Sequence, residues 1–339
     1  MRQIVIPRAG GPEVLQLREK EDPEPKGGEV AIRVKAAGIN FADILARKGL
    51  YPDAPPMPCV VGYEVSGIVE RVGAGVDPAL SGTPVVAITR FGGYADLVVV
   101  PERQVFPKPE ALSFEAAAAL PVNYLTAYQA IVVMGGLRKG ETILIHNAGG
   151  GVGIAALDLA RKIGARTLGT ASSAKHAFLE ARGLDHAIDY RNQDWTKEVA
   201  RLTDERGVEL ILDPLGGANW RKSYRALRAT GRLAMFGISS VTESGFGRGF
   251  RFLKIALQTP FFHPFLLMNR NRGVFGVNLG HLWHEPEKIR QWMAEILTEV
   301  EQGRLRPHID QVFPFSEAAA AHRYIEERRN TGKVLLVPA

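Results

Sequence analysis

The 339-residue chain is longer than one hydrophobic core usually serves, and its 46% hydrophobic and 23% charged residues read as an ordinary globular protein of two domains, excluding disorder, collagen and coiled coil. Its single cysteine, Cys59, excludes an internal disulfide and a four-thiolate zinc site and points to a reducing compartment. The net charge of +6 is concentrated between Trp220 and Arg272, where Arg221, Lys222, Arg225, Arg228, Arg232, Arg248, Arg251, Lys254, Arg270 and Arg272 stand against one acid, Glu243.

The N-terminus, MRQIVIPRAGGPEVLQL, reaches Pro7 and Arg8 before any apolar core of signal-peptide length, so cytoplasmic residence is expected. Short Val/Ile runs punctuated by Gly and Pro follow (EVAIRVKAAGIN, VSGIVERVGAGV, TPVVAI), the pattern of antiparallel strands and turns. After Ser113, an N-cap type, FEAAAAL and NYLTAYQAIVVM read as helices on either side of Pro121. From Glu141 the pattern becomes alternation: ETILIHN, VGIAALDLARKIG, RTLGTAS, AKHAFLEARG, HAIDY, DWTKEVARLT, GVELILDP, ANWRKSYRALRA and GRLAMFGIS. Alternating strands and helices predict an α/β fold with a doubly wound parallel sheet. The apolar stretch Phe252 to Asn269 is broken by Lys254, Pro260, His263 and Pro264 and does not read as a spanning helix. Strand-like GVFGVNLG, the helix EPEKIRQWMAEILTEVEQG, an extended piece, a helix around AAAAHRYIEERR and a closing strand KVLLVPA complete the chain. The expected domains are 1–124 with 282–339, and 125–281.

The strand ETILIHN runs directly into Ala148, Gly149, Gly150, Gly151, Val152 and Gly153 and then a helix with apolar spacing, giving A-x-G-x-x-G at Ala148, Gly150 and Gly153. Glycine there lets the backbone turn off the strand, brings a pyrophosphate up to the amides at the positive helix end, and allows close helix–sheet packing. A dinucleotide site is therefore expected. An acid about twenty residues on would hydrogen-bond the ribose 2′-hydroxyl of NAD. Here the second strand ends in Gly169, Thr170, Ala171, Ser172 and Ser173. No carboxylate would repel a 2′-phosphate, while Thr170, Ser172, Ser173, Lys175 and Tyr190 supply hydroxyls and a cation, with His176 as the alternative to Lys175. NADPH is the expected cofactor.

Taken together, AAGINFADILARKGLY, VVGYEVSGIVERVGAGV, LPVNYLTAYQAI, HNAGGGVGIAALDLARKIGA, DPLGG, PHIDQVFPF and NTGKVLLVP resemble the medium-chain dehydrogenase/reductase superfamily. Within it, the likeness is to the zinc-independent quinone oxidoreductase branch and its VAT-1-like group. The resemblance implies a GroES-like catalytic domain beside a Rossmann domain. It also implies hydride transfer from the nicotinamide to a quinone or α,β-unsaturated carbonyl. Asn40 and Tyr63 stand where zinc alcohol dehydrogenases carry a Cys and a His, so no metal is expected. By motif position, Asn40 and Thr126 would contact the nicotinamide–ribose end, Asp43 would hold the local polar network, and Tyr51 and Tyr63 would line the substrate cleft. Packing alone is the alternative for either tyrosine. Gly150, Val152 and Gly153 would meet the pyrophosphate, Phe236, Gly237 and Ile238 would follow the strand RLAMF, and Arg328, or its neighbour Arg329, would meet the adenosine phosphate. GVFGVNLG (Gly273 to Gly280) resembles the strand that pairs across a two-fold axis, so a homodimer is expected.

A second class of function competes: a nucleotide-binding protein of peripheral membrane surfaces with little turnover, suggested by the basic, aromatic-rich region and the VAT-1 likeness. No RNA-binding motif is present and no nucleic acid is expected. The chain has no G-x-S-x-G elbow, and Cys59, in MPCVVG, has no nearby histidine in sequence, so nucleophilic catalysis finds no support.

Overall fold

The run EVAIRVKAAG places small and β-branched side chains at almost every position, which suits a strand buried on both faces. It forms β3 (Glu29–Gly38), after a separate hairpin-like pair of β1 (Arg2–Val5) and β2 (Gln16–Glu19). The helix α1 (Phe41–Arg47) follows at once, then β4 (Glu64–Val72), β5 (Pro84–Ile88), β6 (Leu97–Pro101) and β7 (Val105–Pro107). Their core is largely valine: Val30, Val34, Val65, Val69, Val85 and Val98 pack with Ile32. The computed structural model describes residues 1–242 and 257–338, so Arg248, Arg251 and Lys254 of the basic region lie outside the described residues.

Ser113 caps α2 (Phe114–Ala118), its hydroxyl accepting from Ala116 N at 3.1 Å. The second expected helix, α3 (Pro121–Tyr128), starts at Pro121 itself, where the missing N–H costs nothing. A wider π-helical turn, Gln129–Val133, ends that segment.

The parallel sheet comes next: β8 (Thr142–Ile145), α4 (Gly151–Ile163), β9 (Arg166–Ala171), α5 (His176–Ala181), β10 (His186–Asp189), α6 (Trp195–Leu202), β11 (Val208–Asp213), α7 (Ala218–Ala226), β12 (Leu227–Met235), α8 (Pro264–Arg270) and β13 (Gly273–Gly276). The strand order is β10-β9-β8-β11-β12-β13, with every neighbouring pair parallel. In sequence rank that is 3-2-1-4-5-6, the dinucleotide-binding order, whose switch point lies between β8 and β11. Leu144, Leu168, Ile188, Ile211 and Leu233 fill its core with Trp195. Two boundaries differ from the sequence expectation. β12 starts at Leu227, before GRLAM, and β13 stops at Gly276, because Leu279–His281 turns into a 3-10 helix.

The chain then forms α9 (Pro286–Glu301), β14 (Ile309–Pro314), α10 (Ala318–Glu326) and β15 (Lys333–Val337). β15 lies antiparallel to β3, pairing Leu335 with Gly38 and Leu336 with Ala37, which returns the C-terminus to the first sheet. That sheet has the order β14-β15-β3-β4-β5-β7, with β6 also on β3. Two compact units result: Met1–Leu125 with Gly280–Ala339, and Thr126–Leu279. Among the described residues no helix is long and apolar enough to cross a membrane.

Candidate functional site

At the carboxyl end of β8 the chain turns through Asn147, in the left-handed region at φ 53°, and Gly150 caps α4. The first-turn amides of α4, at Gly151, Val152 and Gly153, have no intrahelical acceptor and stand at the positive end of a thirteen-residue helix. Gly153 is sterically required: a Cβ there would lie 2.4 Å from the Asn147 carbonyl oxygen and 2.6 Å from that of Ala148, whereas one on Gly150 would meet the movable side-chain amide of Asn147 at 2.6 Å. Ala148 is fully buried, its N–H donating to the Thr170 carbonyl at 3.1 Å, which ties the turn to β9.

The residues expected at the 2′-phosphate divide. Lys175 lies over the turn: a Cβ on Gly149 would come 2.7 Å from its Cδ. Ser172 is half-buried and Ser173 exposed, both at the end of β9, and Tyr190 follows β10 with its ring 37% exposed. Thr170 requires a correction. It is buried, and its hydroxyl lies 3.0 Å from His146 Nδ1 and accepts from Asn147 N at 3.3 Å, so it braces the turn from below instead of offering a free ligand. His176, the alternative cation, has Nε2 3.3 Å from the Ala171 carbonyl.

Sequence reasoning missed what lies beneath. His146 Nε2 is 3.2 Å from Ser223 Oγ, which donates to Asp213 Oδ2 at 2.7 Å. Asp213 also accepts from Asn219 Nδ2 and Leu215 N, each at 2.8 Å. Burial depresses the His146 imidazole below its ordinary value, against the pull of the Asp213 carboxylate, so a neutral ring links the ends of β8, β9 and β11 through hydrogen bonds. The only signal in sequence was a polar residue closing each of two apolar runs, TILIH and VELILD. Phe236, Gly237 and Ile238 leave β12 beside this group, Phe236 N donating to the Asp213 carbonyl at 3.3 Å. A Cβ on Gly216 would lie 2.9 Å from Ile238 Cγ2. Thr126 is nearly buried on α3, in the same unit.

In the first unit, the expected residues Asn40, Asp43, Tyr51 and Tyr63 come together. Asp43 is fully buried; its carboxylate accepts from Asn40 N at 2.8 Å, Gly62 N at 3.0 Å and Tyr94 Oη at 3.1 Å. Burial nevertheless pushes its pKa up to about 7, the hydrogen bonds and Lys333 opposing. Tyr94 Oη is also 3.1 Å from Nε2 of buried His322, whose pKa falls to about 3 through burial and the Arg47 guanidinium. Asn40 donates to Glu64 Oε1 at 3.0 Å and accepts from Lys333 Nζ at 2.7 Å, while Lys333 pairs with Glu64. Glu64 Oε2 further accepts from Val122 N at 2.7 Å. This Asn40–Glu64–Lys333 cluster was also missed; its members are up to 293 residues apart.

Tyr63 is 7% exposed, and its hydroxyl, raised by burial so that it stays protonated, faces the Tyr51 hydroxyl but makes no well-formed hydrogen bond among the described residues. Tyr51 meets it edge-on at 6.3 Å between ring centroids and Phe91 lies 5.2 Å away. These three rings, Asp53, Arg90 and Gly280, His281 and Trp283 line a cavity of about 130 Å³ within this unit. Arg328, at φ 58° after α10, belongs to the same unit. Arg329 stacks its guanidinium 4.7 Å from the Tyr324 ring centroid.

A sheet unit of this kind joined in one chain to a 3-2-1-4-5-6 nucleotide-binding unit defines a medium-chain dehydrogenase/reductase. Residues 26–110 match the alcohol dehydrogenase GroES-like domain family, and residues 182–336 match the zinc-binding dehydrogenase family. The synaptic vesicle membrane protein VAT-1 homolog of Homo sapiens is 40% identical over 346 residues, covering 100% of this chain and 86% of the relative. A quinone oxidoreductase of Pseudomonas aeruginosa is 34% identical, covering 99% of both chains. Among solved structures, Escherichia coli quinone oxidoreductase complexed with NADPH superposes with a TM-score of 0.88 at 29% identity, over 100% of both chains. The chain belongs to the VAT-1-like family of the medium-chain dehydrogenase/reductase superfamily of oxidoreductases.

One matching family is described by zinc, and the residues here do not fit that metal. Asn40 is held between Glu64 and Lys333, the Glu64 carboxylate is already neutralised by an ammonium, and Tyr63 offers a phenol. Among the described residues no group of three or more His, Cys, Asp or Glu side chains converges.

Proposed function

We propose that this chain is a cytoplasmic NADPH-dependent reductase that passes hydride to a quinone or an α,β-unsaturated carbonyl without zinc. The observation that carries the reading is the glycine turn at α4 with Lys175 laid against Gly149 and no carboxylate from Gly169 to Ser173. The NADPH bound by the E. coli quinone oxidoreductase supports it.

NADPH supplies the hydride when bound. The amides of Gly151, Val152 and Gly153 hold the pyrophosphate, and Lys175 with Ser172 and Ser173 holds the 2′-phosphate beside Tyr190. Phe236, Gly237 and Ile238 border the nucleotide, Arg328 adds charge at its adenosine phosphate, and Asn40 and Thr126 bind the nicotinamide–ribose end. Asn40 suits that task because Glu64 and Lys333 fix both ends of its amide. Tyr63 donates its hydroxyl to the acceptor's carbonyl, and Tyr51 packs on the acceptor. Titration of the full chain with NADPH and NADH tests the cofactor half. At least tenfold tighter NADPH binding is expected, and equal affinities would overturn it.

The edge strand β13 is unpaired on its outer side among the described residues and suits a homodimer, which light scattering tests. A second reading, attachment to an anionic membrane surface, is favoured by the exposed Leu257, Phe261, Phe265 and Met268 beside exposed Arg270. Salt-sensitive co-sedimentation with phosphatidylserine vesicles is its expected result; absence of binding would remove it.

A further inference from the structure

The cavity beside Tyr63 carries one feature that hydride transfer to a neutral quinone does not use. Its walls are the rings of Tyr51, Tyr63, Phe91 and Trp283, its one carboxylate is Asp53, and its one guanidinium is Arg90. Asp53 Oδ2 is already taken by His281 Nε2 at 2.8 Å. Arg90 has no carboxylate or carbonyl partner among the described residues.

The Arg90 side chain is exposed, but the backbone that carries it is held. On one side Thr89 N donates to the Tyr63 carbonyl at 2.8 Å and Thr89 Oγ1 to the Gly62 carbonyl at 2.7 Å. On the other, Gly92 N donates to Val60 O at 3.1 Å, with Gly92 at φ 86° making the turn. The tip Arg90–Phe91 is therefore fastened to the Val60–Tyr63 segment at both ends. An exposed guanidinium on a fastened backbone at the rim of an aromatic cavity is a planar fork for a carboxylate, sulfonate or phosphate group.

We propose that Arg90 selects, for this cavity, planar aromatic or conjugated acceptors that carry an anionic group. The hydroxyl of Tyr63, which faces that of Tyr51, takes the carbonyl of such a molecule while the rings enclose its plane and Arg90 pairs with its acidic substituent. Naming the occupant an acceptor rests on the reductase reading; the anion preference itself does not.

The test is therefore a binding measurement first. Quenching of tryptophan fluorescence in the full chain is titrated with naphthalene-2-sulfonate and with 2-methylnaphthalene, in the natural protein, Arg90→Gln and Arg90→Lys, with thermal midpoints checking that each variant is folded. The sulfonate is expected to bind more tightly than the neutral probe. Arg90→Gln should weaken it about fivefold or more while leaving 2-methylnaphthalene within twofold, and Arg90→Lys should recover part of the loss. Equal effects on both probes, no sulfonate preference in the natural protein, or no binding of either would overturn the proposal. NADPH oxidation with 1,2-naphthoquinone and its 4-sulfonate is then measured. Arg90-dependent sulfonate binding without any turnover keeps the anion selectivity and sinks the reductase reading. Turnover of both quinones that is indifferent to Arg90→Gln does the reverse.

Discussion

Replacing Asp43 by Asn tests the electrostatics of the first unit through the pH dependence of stability. Asp43 is fully buried and its pKa moves from 3.8 to about 7 on folding, so the folded protein holds a proton there that the unfolded chain has released. A folded pKa above the unfolded one gives stability that is complete below pH 4 and lost as pH rises through 7. At about 1.4 kcal/mol per unit, the stability that Asp43 confers at pH 4 relative to pH 8 is on the order of 4 kcal/mol. The geometry accommodates both forms. Ionised, Asp43 accepts from Tyr94, and His322 Nε2–H donates to the phenol; protonated, it can donate to Tyr94, which then donates to His322 in its other tautomer. Asp43→Asn removes the titration and leaves one amide N–H group facing the donors at Gly62 N, Asn40 N or Tyr94. Unfolding midpoints of both proteins from pH 4.5 to 8 read the effect. The natural protein's advantage over Asp43→Asn should shrink as pH rises to about 7 and level off above it. A constant advantage would show that Asp43 ionises at an ordinary carboxylate pH, and one that grows with pH that its folded pKa is lowered; either would overturn the raised value.

Tyr63→Phe deletes a buried hydroxyl that makes no well-formed hydrogen bond, so it should leave the thermal midpoint nearly unchanged while lowering kcat about a hundredfold; a fall in stability without a fall in kcat would show that the hydroxyl only packs. Lys175→Ala should raise the Kd for NADPH about tenfold and leave NADH within twofold by fluorescence titration, and a parallel loss of both would remove Lys175 from the 2′-phosphate. Gly153→Ala forces a Cβ against two backbone carbonyls; it should cost about 1–3 kcal/mol in denaturant unfolding and abolish detectable NADPH binding, and retained binding would place the pyrophosphate elsewhere.

The parallel sheet and the glycine turn were legible because they rest on local pattern: ETILIHN flows into Ala148–Gly153 and then into helical spacing, all within about twenty residues. The direction of Thr170 was not. β9 is buried at five of its six positions, so no alternation of apolar and polar residues reveals which face a side chain takes, and only the structure shows its hydroxyl committed to His146. The Asn40–Glu64–Lys333 and His146–Ser223–Asp213 groups were invisible for a different reason. Each assembles polar residues from strands and the turns and helices that adjoin them, at separations of 24 to 293 residues for the Asn40 group. The shorter β13 reflects a 3-10 turn at Leu279–His281 that Gly-containing GVNLG does not announce. Of the basic region, Arg228 pairs with Glu209, Arg232 with Glu141, and Arg272 donates to the Tyr224 carbonyl, leaving the exposed Arg221, Lys222 and Arg225 on α7 as a solvated face. Composition alone does not separate the two sets.

The zinc-independent reductase reading is tested by following NADPH oxidation by absorbance with 1,2-naphthoquinone and a set of small enones, NADH and a strong zinc chelator serving as controls. Turnover that prefers NADPH and is unchanged by the chelator is expected. Turnover abolished by the chelator, or tight NADPH binding with no reduction of any acceptor, would contradict it.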